Sequence, residues 1–378
     1  MLIRTASSFW KTLVRSSLLT LVVGAGAACG GGSGAPPVTA QAESVPDAAD
    51  SEEQAAPVVP SGPQFAVQEK PTPEKVEITE PPEPPKPNGN PLLGAKLFVD
   101  DEGAAYSYAE SFRTKDPEKA KTLDRIGKQP QAFWIGDWNA DVFRTTQHFV
   151  NRAVRQGTVP VMLAYNIPHR DCGQHSKGGS AAKEDYQEWI RRVALGIGER
   201  AAVVVLEPDA LGHIQECLTK AQIEERFFLI KDAVRVLRQN PNTVVYIDAG
   251  HARWVKVPDM AERLKKAGIA DAHGFALNVS NYVTSEENIE YGKKLSEAVG
   301  GAHFVIDTSR NGAGPADKDA WCNPPGRKIG TAPTTETGEP LVDAFLWLKR
   351  PGESDGTCNG GPEAGKFWLE KALELARD

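Results

Sequence analysis

The sequence predicts an α/β fold, a β/α barrel of parallel strands with a cleft at the C-terminal strand ends, and three observations predict it. Short apolar runs recur with helical patterns between them, the runs are apolar on both faces, and each carries a polar side chain at or near its end. Eight runs fit this description: Ala95–Asp101, Ala132–Trp138, Val159–Asn166, Ala201–Asp209, Thr243–Ala249, Gly274–Asn281, His303–Ser309 and Ala344–Lys349. Near-continuous apolar stretches such as Val203-Val204-Val205-Leu206 suit strands covered on both sides. Helices are expected between them, among them Tyr186–Leu195, Ile223–Arg238 and Pro258–Ala267, with Ala364–Ala376 closing the chain.

The polar termini carry the functional signal. They are Asp101, Asp137, Asn166, Asp209, Asp248, Asn278, Asp307 and Lys349. In a β/α barrel the active site is assembled at that face. One Asp after a strand is more often a helix cap or a turn residue. A whole set argues for a carboxylate-lined cleft.

Three segments precede or contain this pattern. Residues 1–29 read as an export signal: Arg4, Lys11 and Arg15 lead into the apolar run Leu18 to Val23, and small residues follow. That run is too short for a stable membrane span. Cys29, directly after Gly26-Ala27-Ala28, resembles the lipidated cysteine of a bacterial lipobox, although the usual leucine is Gly26. Secretion by ordinary cleavage or retention at the cell surface by a lipid on Cys29 both fit. Residues 30–90 are rich in Pro, Ala, Gly, Glu and Ser and poor in aromatics, a composition that cannot bury enough apolar surface to offset the entropy of ordering. This segment reads as a disordered tether, and residues 91–378 as one large α/β domain.

A formal net charge of −7 with no basic cluster offers no electrostatic footprint for nucleic acid. Seven histidines form no ligand spacing and no phosphate-binding loop pattern occurs, so neither a metal nor a cofactor is implied. The chain is expected to act as a monomer. Beyond Cys29 the cysteines are Cys172, Cys217, Cys322 and Cys358, for which three connectivities exist. Pairing Cys172 with Cys217 and Cys322 with Cys358 is preferred, because each bond then ties together two loops placed near the cleft.

Four motifs carry a resemblance that covers Asn90 to Asp378. They are Tyr165-Asn166-Ile167-Pro168-His169-Arg170-Asp171-Cys172-Gly173 followed by Ser176, Leu206-Glu207-Pro208-Asp209-Ala210-Leu211, Tyr246-Ile247-Asp248-Ala249-Gly250-His251, and Trp347-Leu348-Lys349-Arg350-Pro351-Gly352-Glu353-Ser354-Asp355-Gly356. In this order they resemble glycoside hydrolase family 6, the inverting endoglucanases and cellobiohydrolases. The resemblance implies a distorted, partly open TIM-like barrel and a β-1,4-glucan chain as the partner. Endo action is expected, because the segments around 173–183 and 311–339 look too short to roof a tunnel.

The resemblance also distributes roles. Inversion needs a protonated carboxyl for the leaving oxygen and a route for the proton of the attacking water. Asp209 matches the acid. Asp171 matches the aspartate that raises the acid's pKa and that receives a proton through water, with Ser176 in that route. Asp355 matches the residue proposed as base, and Asp248 is read as shaping charge and binding sugar. Sugar rings also need aromatic platforms. Trp134 (or Trp138), Trp254 and Trp321 are candidates, with Tyr165, His251, Asn281, Lys349 and Glu353 as further substrate contacts. The rivals are a cell-surface glucan-binding protein without catalysis, an exo-acting cellobiohydrolase of the same family, and a retaining mechanism using Glu207, since residues two apart on a strand face the same way.

Overall fold

A computed structural model describes residues 78–84 and 89–377, so the expected export signal, Cys29 and most of the expected tether lie outside the described residues. Among the described residues the chain first forms two helices, α1 (Ala104–Phe112) and α2 (Pro117–Gly127). It then alternates: β1 (Phe133–Ile135), α3 (Val142–Arg155), β2 (Val161–Ala164), α4 (Lys183–Ile197), β3 (Ala202–Leu206), α5 (Lys220–Leu237), β4 (Thr243–Asp248), α6 (Val257–Lys266), β5 (Gly274–Leu277), α7 (Ser285–Ala298), β6 (His303–Asp307), β7 (Val342–Leu346) and α8 (Leu369–Ala376). Four of the helices, α2, α3, α5 and α7, start where the sequence supplies side-chain acceptors for free N–H groups. Asp116 with Pro117 behind it caps α2, Asp141 caps α3, Thr219 with Gln222 forms a capping box on α5, and Thr284 caps α7.

All strand pairs are parallel and their order is sequential from β1 to β7. Residues alternate across the sheet, as expected for a pleated strand. Met162, Val204, Val245, Phe275 and Phe304 pack toward the helices. Leu163, Val203, Val205, Tyr246, Ala276 and Val305 pack in the barrel interior. Both faces are therefore dry, which explains the uninterrupted apolar runs.

Two expectations are corrected. The first run, Ala95–Asp101, forms no strand; Leu97 makes a single parallel bridge to Val159, so the sheet has seven strands among the described residues. β1 and β7 do not pair as a ladder: Ala132 donates its N–H to the Trp347 carbonyl at 2.9 Å, and the Trp134 indole donates to the Leu348 carbonyl at 2.8 Å. This is the partly open barrel. Second, Ala364–Trp368 is not helical, and α8 begins only at Leu369. Residues 78–84, inside the expected tether, contact the domain: Arg191 donates to the Thr79 carbonyl at 2.7 Å and Gln239 to that of Pro82 at 3.2 Å.

Candidate active site

The strand-end carboxylates divide into two sets. One set holds the barrel mouth together. Glu207 is buried, and its carboxylate accepts the N–H groups of Asn166 and Ile167 and the Tyr186 hydroxyl at 2.9–3.1 Å, joining the ends of β2 and β3. Asp307 does the same for β5 to β7, accepting from Ser280, Ser309, Leu348 and Lys349. Glu207 has φ of +52° and Asp209 +68°, so strand alternation stops at Leu206 and the two carboxyls do not face the same way. Glu207 lies away from the cleft, which removes the geometric basis for the retaining alternative.

The other set lines a cavity of about 860 Å³ at the C-terminal strand ends. Asp209, Asp171 and Asp355 are on its wall, with Ser176 and Tyr165 beside them. Trp134, Trp254 and Trp321, together with His251, Asn281, Lys349 and Glu353, line it as well. Asp248 is the exception. It is buried, absent from the cavity wall, and receives the N–H of Asp209 at 2.9 Å and of Gly250 at 3.1 Å, so direct sugar binding by this residue is corrected to support from behind Asp209.

That support helps to hold a proton on Asp209. Burial raises the pKa of the Asp209 carboxyl, the negative charge of Asp248 raises it further, and Asp171 adds to both, so the proton is retained well above the ordinary carboxylate range. Asp248 is raised for the same leading reason, burial.

Asp171 sits in a strained loop. His169, Asp171, Cys172 and Gly173 all have positive φ, which for the non-glycine residues costs of order 1–3 kcal/mol each. The loop is held by Arg170, buried beneath it, which donates to the carbonyls of Tyr165 and Ser176 and pairs with Asp137 at 2.9 Å. It is held also by the Cys172–Cys217 bond, with Cα atoms 5.6 Å apart. The second disulfide joins Cys322 to Cys358, as preferred. The Asp171 carboxylate accepts the Ser176 N–H at 2.7 Å. Burial raises its pKa, while that N–H and the imidazoles of His213 and His175 pull it back.

Asp355 is differently placed. Its carboxylate pairs with Arg310 at 2.9 Å, accepts the Asn323 N–H at 3.0 Å, and lies 3.8 Å from the Lys349 ammonium. Burial alone would raise its pKa, but these partners outweigh it and hold the carboxyl below the usual range. A carboxylate so satisfied is a weak base.

Two of the cleft tryptophans pack on glycines. A Cβ on Gly212 would stand 2.4 Å from the Trp254 ring and one on Gly136 2.4 Å from the Trp138 ring, so both indoles lie flat on backbone. Trp138, 52% exposed, lines the cavity and lies under the Arg170 guanidinium at 5.3 Å. Sequence reasoning gave no role to Arg170, although it stands in the motif before Asp171, and missed Arg310, His175 and His213, since nothing in the spacing of these three separates them from ordinary loop residues. His175 packs on Gly356 and edge-on to Trp321 at 5.9 Å, so the loops after β2 and β7 touch there. Cys172, His213 and Glu216 cluster, but Cys172 is engaged in its disulfide and the cluster is not a complete metal-ligand set.

A proton-holding carboxyl, a more accessible carboxylate and apolar platforms around one open cavity are what cleavage of an acetal between sugar rings requires, and they place the protein among the glycoside hydrolases. A family model described as "Glycosyl hydrolases family 6" matches residues 93–378, and the chain belongs to that family. It is 44% identical over 259 residues to Endoglucanase A of Cellulomonas fimi, covering 68% of this chain and 56% of that protein. With Endoglucanase 1 of Streptomyces halstedii the identity is 41% over 301 residues, covering 77% of this chain and 92% of the relative. The structure of endoglucanase Cel6 from Mycobacterium tuberculosis, in complex with methyl-cellobiosyl-4-deoxy-4-thio-β-D-cellobioside, superimposes with a TM-score of 0.72 at 46% identity, covering 76% of this chain and 98% of that one.

Proposed function

We propose that the protein hydrolyses internal β-1,4-glucosidic bonds of cellulose-type chains with inversion at the anomeric carbon. The observation that carries this reading is the unlike pair of carboxyls on one cleft wall: Asp209 kept protonated by burial and by Asp248, and Asp171 facing the same cavity. Asp209 donates its proton to the leaving oxygen. The attacking water gives up its proton toward Asp171, by way of a further water held near Ser176. Asp355, paired with Arg310 and near Lys349, acts as an anchor of the cleft wall and the ammonium rather than as the base. Trp134, Trp254 and Trp321 carry glucose rings, and Tyr165, His251, Asn281, Lys349 and Glu353 contact them from the wall.

Proton NMR of the first product tests the stereochemistry: the α anomer must appear first, and a β product would sink inversion. On carboxymethylcellulose, viscosity should fall early, whereas cellobiose with little loss of viscosity would mean exo action. The endo reading draws on relatives named endoglucanases.

Export is part of the same proposal, since a polymeric glucan must be met outside the cell. A lipid on Cys29 would keep the enzyme at the surface, and globomycin-sensitive processing is the expected sign. The cleft is built from one chain, in keeping with a monomer, which light scattering checks.

A further inference from the structure

His213 follows Asp209 in the loop after β3, with its backbone N–H donated to the Asp209 carbonyl at 2.9 Å. Its ring lies between two carboxylates: Nδ1 is 2.6 Å from Glu216 and Nε2 is 3.9 Å from the Oδ1 of Asp171. The Trp254 ring, edge-on at 4.7 Å, closes one side, and Gly212 leaves room for that contact because a Cβ there would clash with the indole. His213 thus has a fixed orientation and faces the cleft. A His aimed by one carboxylate at another is a device for placing positive charge.

We propose that His213, oriented by Glu216 and Trp254, is a positioning residue that as imidazolium holds Asp171 in its anionic, proton-accepting form. The proposal rests on the reading of Asp171 as the acceptor. Around His213 stand Asp171 from the loop after β2, Asp209 and Glu216 from its own loop, His251 beyond Trp254, and Arg263 of α6, which donates to the Leu211 and Gly212 carbonyls. Asp171 is met from its other side by His175 and Arg170. The imidazole lowers the pKa of both Asp171 and Asp209, but it does so only while protonated. An imidazolium 3.9 Å from Asp171 acts on the acid limb of the pH profile, where Asp171 must be anionic to accept a proton.

The test is kcat/KM against pH on a soluble cello-oligosaccharide, for the full protein and for His213→Gln, His213→Asn and His213→Lys, with folding checked by circular dichroism. In the Gln and Asn variants the acid limb should move up by about one pH unit, a roughly tenfold loss at the acid end. His213→Lys keeps the charge and should restore the acid limb. Unmoved acid limbs in folded Gln and Asn variants, or a Lys variant displaced as far as they are, overturn the proposal. Asp171→Asn, run in parallel, separates the two readings: substantial remaining activity there refutes Asp171 as acceptor, whatever His213 does.

Discussion

Asp209 has a proton to give at neutral pH because of what lies behind it. An exposed aspartate would be ionised, and two changes of setting prevent that: exclusion from water and the Asp248 carboxylate against its own backbone N–H. Asp209→Asn should lower kcat on unactivated β-glucan by about 10²–10⁴-fold, the usual worth of a general acid, and reducing-sugar assays read this directly. Asp248→Asn removes a like charge, so the Asp209 pKa falls. The acid must be protonated to act, and activity disappears as pH rises through its pKa. The alkaline limb of Asp248→Asn should therefore lie at lower pH than that of the wild type. At this scale the motifs made Asp171, Asp209 and Asp355 legible. They did not reveal that Asp355 is held by Arg310, because an ion pair between residues forty-five positions apart leaves no local signal.

Between residue and fold stand the fasteners of the barrel mouth. Glu207 was legible as a polar residue after a strand, and either catalysis or structure would have accounted for it; the positive φ and the Asn166, Ile167 and Tyr186 donors decide for structure. Glu207→Gln places an amide donor against those donors. Unfolding free energy should fall by about 1–3 kcal/mol, the cost of an unsatisfied buried polar group, with the cleft chemistry kept. Denaturant titration measures it. The Cys172–Cys217 bond ties the strained Asp171 loop to the loop that follows Asp209, 45 residues on. Replacing both cysteines by serine should cost up to about 4 kcal/mol in stability and lower kcat more than it raises KM, since the reacting carboxylate loses its placement before the sugar platforms do. Trp138, flat on Gly136 at the rim, belongs to this scale too. Trp138→Ala should weaken binding of long oligosaccharides and leave the shortest substrates nearly unaffected, as a KM series in chain length will show.

Over the whole molecule, buried carboxyls with raised pKa give stability a direction in pH. Burial lifts Glu207 from 4.5 to about 7, and Asp209, Asp248 and Asp307 are raised for the same leading cause. In each, the folded form binds its proton more tightly than the unfolded chain, so the stabilisation is complete below pH 4 and is lost as pH rises through the folded value. For Glu207 alone the difference is about 3 kcal/mol. Calorimetry should find a higher Tm near pH 5 than near pH 8; a Tm that climbs over that interval would contradict this account.

The sequence by itself determined the parallel α/β class, the face on which the cleft opens and the family, because two-sided burial imposes uninterrupted apolar runs and cleavage of a glucan imposes its carboxyls in fixed motifs. Tertiary structure alone decided the rest. The first apolar run, Ala95–Asp101, was left with one bridge to Val159, just before β2, while β1 and β7 met at a single backbone hydrogen bond, since a run's composition does not say whether it has a neighbour to pair with. Of the carboxylates at the mouth, Glu207, Asp248 and Asp307 became fasteners, and Asp171 and Asp209 were turned into the cleft. Those roles depend on which N–H groups and charges fold against each oxygen, a matter of three-dimensional proximity.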